Sequence, residues 1–233
     1  MSASKTTQNR LKLVIANRQW SAWSLRAWLI LKATGAPFEE ELIEVEATEG
    51  RQFSPQAKRA FITKLGEVSP NARLPVLWHN DLLVWDTASI AEYLNELYPE
   101  ANLWPSDPVS RAIARSVTAE MHSCFLALRR ECRMDIFLRT NFELQDEKSH
   151  NDVRRMVRLY SSLRKRFKDR GAFLLGPWSI ADAFVLPEAT RLRSYGISLR
   201  EHGDEDGIAQ AYSDTLLATP HYLEWEGLSA PVA

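Results

Sequence analysis

The amino-acid sequence predicts an α+β chain: a small β-α-β/β-β-α domain followed by an all-α helical domain. Three observations carry this. The strand-like runs all precede Pro108. A proline-rich segment, Pro99 to Pro108 (PEANLWPSDP), reads as a linker. Beyond it, apolar residues recur only at helical intervals. The expected divisions are a flexible polar tail over 1–10, a first domain over 11–98, the linker over 99–108 and a helical domain over 109–233.

Each element has its own warrant. Leu11 to Ala16 (LKLVIA) is short and β-branched in its second half, which predicts a strand. Ala22 to Thr34 places Leu25, Trp28, Leu29 and Leu31 near helical spacing and stops at Gly35 and Pro37. Glu39 to Val45 reads as a second strand. No helix can be delimited from the pattern between Ala47 and Val68. Leu74 to Trp78 and Leu82 to Trp85 read as strands around the turn His79-Asn80-Asp81. Thr87 to Tyr98 carries Ile90, Ala91, Tyr93, Leu94 and Leu97, a helix halted by Pro99.

In the second half, Val109, Ile113, Val117, Met121, Phe125, Leu128 and Cys132 make one helical stripe. Val153, Met156, Val157, Tyr160, Leu163 and Phe167 make another. Residues 179–195 and 208–218 are further helices.

Composition narrows the function. Hydrophobic residues make up 45% of 233, enough for a packed core. The 29 basic and 30 acidic residues leave a net charge of −1. That balance carries no electrostatic footprint for nucleic acid or an anionic membrane. Residues 1–10 lack the apolar core of a secretory signal, and no run approaches the roughly 20 apolar residues of a membrane span. Two cysteines make neither a disulfide framework nor a C-x-x-C pair, and scattered histidines give no metal-ligand spacing. A cytoplasmic protein without a bound metal is expected.

Several features have plain explanations. The basic run through Arg154, Arg155, Arg158, Arg164, Lys165, Arg166, Lys168 and Arg170 is interleaved with an apolar stripe and reads as the wet face of a helix. His79 reads as solvated in its turn. Cys124 and Cys132 read as buried structural thiols, with a place for one of them at the border of a substrate pocket as the alternative. Met121-His122 reads first as core, with Met121 kept as a candidate for a substrate pocket.

Three places carry more. Pro75, in Leu74-Pro75-Val76, interrupts the ladder at a strand start; were its bond cis, Leu74 would be free to pair with an extended peptide. Asp86-Thr87 opens a helix, where free N–H groups favour a carboxylate and Asp86 could hold an ammonium. Ser179 with Asp182 has the spacing of a capping box, a structural feature worth about 1 kcal/mol per cap residue.

Ser69 to Leu77 (SPNARLPVL) resembles the N-P-x-G-K-V-P-x-L segment of the glutathione transferase superfamily, with its cis proline. Asp86 to Leu94 (DTASIAEYL) resembles that family's E-S-x-A-I-x-x-Y-L, and Ser179 to Asp182 resembles its capping motif. The likeness spans residues 10–225 in the family's order: thioredoxin-like domain, linker, helical domain. Ala72 stands where the family has glycine, Asp86 where it has glutamate and Thr87 where it has serine.

The resemblance implies glutathione as co-substrate, held by Arg73, Leu74, Pro75, Asp86 and Thr87, without a metal. It places the thiol-activating residue just after the first strand, within Ala16 to Trp28 (ANRQWSAWSLRAW). The tyrosines begin at Tyr93, so a tyrosine is excluded there. Aligning Leu25 to Leu29 puts Ser21 at the family's catalytic serine, with Ser24 as runner-up. The reactive position of the cysteine-type class falls on Trp23, which joins Met121 as a substrate-pocket candidate.

The implied protein is a bacterial-like, serine-type homodimer that conjugates glutathione to a hydrophobic electrophile in detoxification. A glutathione-dependent isomerase or reductase, or a non-catalytic relative that binds, stands as the alternative. Neither nucleic acid nor a membrane is expected as partner.

Overall fold

The computed structural model describes residues 9–44 and 54–229. The tail through residue 8, Val45 at the end of the second expected strand, residues 47–53 of the unassigned stretch and the last four residues lie outside the described residues.

Strand β1 (Leu11–Ala16) pairs in parallel with β2 (Phe38–Ile43), Leu11 opposite Phe38. On its other side it pairs antiparallel with β3 (Val76–His79), Val14 opposite Val76, and β3 pairs with β4 (Leu82–Val84). The sheet order is β2-β1-β3-β4. His79 belongs to β3 rather than to the turn, and its Nδ1 lies 2.6 Å from the Tyr93 hydroxyl. The solvated reading of His79 is therefore corrected: strand pairing carries it one residue further and sets it against the next helix.

Helix α1 (Ala22–Ala33) joins β1 to β2 and is buried along nearly its whole length. A helix apolar on all sides must be covered on all sides, and the chain supplies helices from both halves to do it. Helix α2 (Pro55–Val68) starts at Ser54, whose side chain accepts from the Ala57 N–H, with Pro55 in the first turn. Leu65 is the buried residue of its 14, which is why no apolar stripe betrays it in the sequence. Helix α3 (Thr87–Leu97) closes the first domain.

The segment 99–108 does more than link. After a short 3-10 turn at Pro99–Ala101, Leu103 and Trp104 are buried, and the Leu103 carbonyl accepts the Ile180 N–H at 3.0 Å. This strap ties the two halves together.

The stripe from Val109 to Cys132 is two helices, α4 (Pro108–Ser123) and α5 (Leu126–Glu131). Phe125, with φ +62°, breaks them in the left-handed region while burying its ring. Helices α6 (Glu147–Phe167), α7 (Ile180–Tyr195), α8 (Ile208–Leu217) and α9 (Pro220–Ser229) follow. The last was not foreseen: Tyr222 and Trp225 are fully buried, and the Trp225 indole donates to the Arg18 carbonyl at 3.1 Å.

The basic run of α6 faces outward as expected, with Arg155 on Glu120 at 2.7 Å and Lys165 on Asp206 at 2.6 Å. Arg164 departs, donating to the carbonyls of Phe173 and Gly171. Cys132 is buried, and burial pushes its thiol up to about 12. Cys124 is exposed, contrary to expectation, because it ends α4 at the break.

One apolar core runs from β1 and α1 through α4, α6, α7 and α8. A smaller one, Val14, Ile43 and Val76, lies under α2. Among the described residues no helix is long and apolar enough to cross a membrane.

Candidate functional site

Two cavities meet at Trp23, which lines both. The narrower, about 230 Å³, is bounded by Asn71, Arg73, Leu74, Pro75, Trp85, Asp86, Thr87 and His122. The wider, about 380 Å³, is bounded by Ala16, Asn17, Ser21, Phe61, Arg129, Arg133, Met134 and Arg191, among others.

The narrower cavity gathers every binding residue expected from the sequence. The Leu74–Pro75 peptide is cis, as is Trp85–Asp86. The β1–β3 register begins at Val76, so Leu74 precedes the ladder and faces the cavity. Ala72 has φ +50°, the left-handed conformation that glycine adopts without strain. Here lies the physical reason for the glycine expected at that position. Asp86 caps α3: its Oδ1 accepts the Ala88 N–H at 2.8 Å. Its Oδ2 lies 3.3 Å from His122 Nε2 on α4. One carboxylate thus serves a helix start and a contact across the two halves. The helix dipole adds positive potential at Thr87.

Ser21 and Ser24 separate in space. Ser21 caps α1, accepting the Ser24 N–H at 3.2 Å, and lines the wider cavity. Ser24 is fully buried and lines neither cavity; its Oγ accepts the Ala16 N–H at 3.0 Å and lies 2.9 Å from Ser21 Oγ. The runner-up therefore stands behind Ser21 as support. Met121 also falls away from the pocket: its side chain is fully buried in the core and lines neither cavity, whereas its neighbour His122 does. One step along a helix turns a side chain by about 100°, enough to exchange the two.

Behind Trp23 lies a buried charge cluster. Glu188, fully buried on α7, accepts from Arg26 at 3.0 Å and Arg129 at 2.8 Å on one oxygen. It accepts from Arg191 at 3.0 Å on the other. Burial pushes the Glu188 carboxyl up, but Arg191, Arg129 and Arg26 outweigh it and hold the group below the usual carboxylate range. Burial pulls the Arg26 guanidinium down to about 9 against the opposing pull of Glu188. The Arg26 guanidinium lies 4.4 Å from the Trp23 ring centre, so the cluster also braces the wall shared by both cavities.

Sequence reasoning missed His122, Arg129, Arg133 and Arg191. A usable signal was present: Glu188 and Arg191, spaced i,i+3, sit in the middle of a helix buried along nearly its whole length, and buried charges require partners.

Residues 20–97 match the family model "Glutathione S-transferase, N-terminal domain". A "Probable maleylacetoacetate isomerase" from Caenorhabditis elegans is 30% identical over 101 residues, covering 43% of this chain and 41% of that protein. The chain thus spans under half the length of that relative. A "Stringent starvation protein A homolog" from Haemophilus ducreyi is 24% identical, covering 71% of this chain and 72% of that protein. Among solved structures, a glutathione transferase homologue from Burkholderia GL BGR1, crystallised with bound glutathione, superposes with a TM-score of 0.67. It shares 22% identity, and the superposition covers 95% of this chain and 98% of that one. The N-terminal region thus matches that family's N-terminal domain model, and the chain shares the fold of glutathione transferase structures along nearly its whole length.

Proposed function

We propose that this protein binds glutathione in the narrower cavity and presents its thiolate, beside Ser21, to an electrophile in the wider one. The observation that carries this is the placement of Trp23. It joins a cavity holding Leu74, Asp86 and Thr87 to a cavity holding Ser21. A tripeptide laid along the first reaches the second with its sulfur.

The roles follow from the chemistry. The first turn of α3 and Thr87 receive the γ-glutamyl carboxylate, and Asp86 Oδ2 receives the ammonium, in exchange for His122. The Leu74 backbone pairs with the cysteinyl unit, with Arg73 flanking the cavity. A free thiol has a pKa near 8.5, so only a small fraction is thiolate at neutral pH. A hydrogen bond from Ser21 to the anion lowers that value, and the start of α1 adds favourable potential. When Ser21 turns its proton to sulfur, the Ser24 hydroxyl donates to Ser21 Oγ and holds it in place. The thiol proton goes to solvent, the sulfur lone pair forms the new C–S bond, and the displaced group leaves with its electron pair.

This reading favours transferase over thiol-disulfide reductase, since neither Cys124 nor Cys132 lines either cavity. The resemblance to the family further supports a homodimer, with Leu82, Trp85 and Val109 exposed as apolar surface. Light scattering at micromolar concentration should then give twice the chain mass; a monomer throughout would remove the dimer from the proposal.

The test of function is a titration of the bound thiol. Thiolate absorbance of glutathione on the protein should rise at lower pH than for free glutathione, and Ser21→Ala should move it back up. Absence of glutathione binding by calorimetry sinks the reading.

A further inference from the structure

We infer that the wider cavity, which Ser21 also lines, selects electrophiles bearing a carboxylate, recognised by Arg133 and Arg191. This rests on the reading just given.

The argument begins with charge. Arg26, Arg129 and Arg191 converge on one carboxylate, Glu188, which leaves two positive charges uncompensated. Among the described residues no other carboxylate lies within 4.0 Å of those three guanidiniums. Arg129 and Arg191 both line the wider cavity, and Arg133 joins them there. Arg133 has no ion-pair partner among the described residues, and no acidic residue is among the described residues that line this cavity. A wall with this excess of positive charge in a partly enclosed space attracts anions.

The second observation concerns one atom. Arg191 is 6% exposed, and its Nε is buried without a hydrogen-bond partner. Its Nη1 is committed to Glu188 and the Pro187 carbonyl at 3.0 and 3.2 Å. Buried donors are nearly always satisfied. A guanidinium that lines a cavity and retains an unused donor is suited to an acceptor arriving with the ligand. A carboxylate matches planar guanidinium geometry and gains charge-assisted hydrogen bonds. The cavity's apolar surfaces, Trp20, Ile43, Phe61 and Met134, suit the rest of such a molecule. The occupant is therefore amphipathic: an apolar or aromatic body with a carboxylate end and an electrophilic carbon near Ser21.

The experiment uses a matched pair, 4-chloro-3,5-dinitrobenzoate and its methyl ester, with glutathione. In both, the thiolate forms the C–S bond and chloride leaves with its electron pair. Each kcat/KM is divided by the uncatalysed rate, since the ester is intrinsically the more reactive. The acid should be preferred by about tenfold or more, the scale of one charge-assisted hydrogen bond. Arg133→Gln or Arg191→Lys should collapse that preference, while Arg158→Gln, on the exposed face of α6, should keep it. Arg133 is exposed, so its variant should fold even if the Arg191 variant does not.

A second arm measures calorimetric binding of the unreactive 4-amino-3,5-dinitrobenzoate without glutathione, in the native protein and in Arg133→Gln. If glutathione fails to bind, the functional reading falls while this arm still decides the carboxylate site. Equal normalised efficiency for acid and ester, or a preference that survives both arginine variants, overturns the inference. In the absence of any turnover, analogue binding unchanged by Arg133→Gln does the same.

Discussion

Asp86 at the start of α3 and Asp182 in the first turn of α7 are the same residue type in similar places, and they do different work. Asp86 gives one oxygen to the Ala88 N–H and turns the other into the narrower cavity, toward His122. Asp182 is fully buried and commits both oxygens inward. Its Oδ1 accepts from the Leu174 N–H at 3.0 Å and the Tyr212 hydroxyl at 2.8 Å. Its Oδ2 accepts from the Ser179 N–H at 2.9 Å and the Ser179 hydroxyl at 3.1 Å. The difference teaches that a cap becomes a binding group only when one acceptor is left over and faces solvent or a cavity. Saturated, the same group is a structural post.

The largest effect that would break this comparison lies at Asp182. Asp182→Ala strands four donors in a dry interior, and we expect a loss of about 3–5 kcal/mol, well above the roughly 1 kcal/mol of a simple cap. For a chain of this size each kcal/mol lowers Tm by roughly 2–4 °C. Thermal melts should show that loss, with activity per folded molecule retained. A near-normal Tm with activity abolished would reverse the assignment.

At Asp86 the expectation inverts. Asp86→Ala should weaken glutathione binding by about 1–3 kcal/mol, the range for a hydrogen bond to a charged group. Its cost to stability should stay near 1 kcal/mol. Calorimetry and a melt on the same sample settle it; a large drop in Tm with unaltered affinity would make Asp86 a second structural post.

Ser21 and Ser24 repeat the contrast at α1. Ser21→Ala should leave glutathione affinity nearly unchanged but raise the pKa of the bound thiol. Ser24→Ala should chiefly lower stability, by about 1–2 kcal/mol, because the Ala16 N–H loses its acceptor. If Ser24→Ala shifts the thiol titration and Ser21→Ala does not, the roles assigned to them are exchanged.

The buried acids also predict opposite responses to pH. Burial pushes the Asp182 carboxyl up, against the pull of its four neutral donors. Its ionisation therefore takes stability away as pH rises from its unfolded value through its folded one. Glu188 is held low by three guanidiniums, so its contribution is present above its unfolded pKa, about 4.3, and is lost as pH falls through the folded one. Glu188→Gln should flatten the acid limb of a stability–pH curve; an unchanged limb would show that the arginine cluster does not hold the carboxyl low. The smallest expected effect is at Ala72, where glycine should relieve the left-handed strain and raise stability by roughly 0.5–1 kcal/mol. A loss on Ala72→Gly would mean that the φ of +50° costs nothing there.

Much of the molecule was legible in the chain because local rules decide it. The short length and β-branching of Leu11–Ala16 required only neighbours, and so did the helix starts at Ser21, Asp86 and Ser179. The narrower cavity was legible for the same reason: Arg73 to Pro75 and Asp86-Thr87 lie in two short runs that β3, β4 and α3 bring together by local connection. Helix α2 and helix α9 were not. The first buries little beyond Leu65, and the second depends on Trp225 finding Trp28 and Arg18, some two hundred residues away. The choice between Met121 and His122, and between Ser21 and Ser24, depended on which way single side chains turn once helices pack. The arginine wall was legible only in part: Glu188 and Arg191 share one helix at i,i+3, and the rest of the wall left no pattern. Arg26, Arg129 and Arg191 come from three helices, and nothing in their sequence spacing links them. Only the burial of Glu188, which in a low-dielectric interior demands cationic partners, draws them to one place. The sequence by itself determined the order of elements and the helix-start chemistry of the narrower cavity, whereas tertiary packing decided which groups face it and which charges line the wider one.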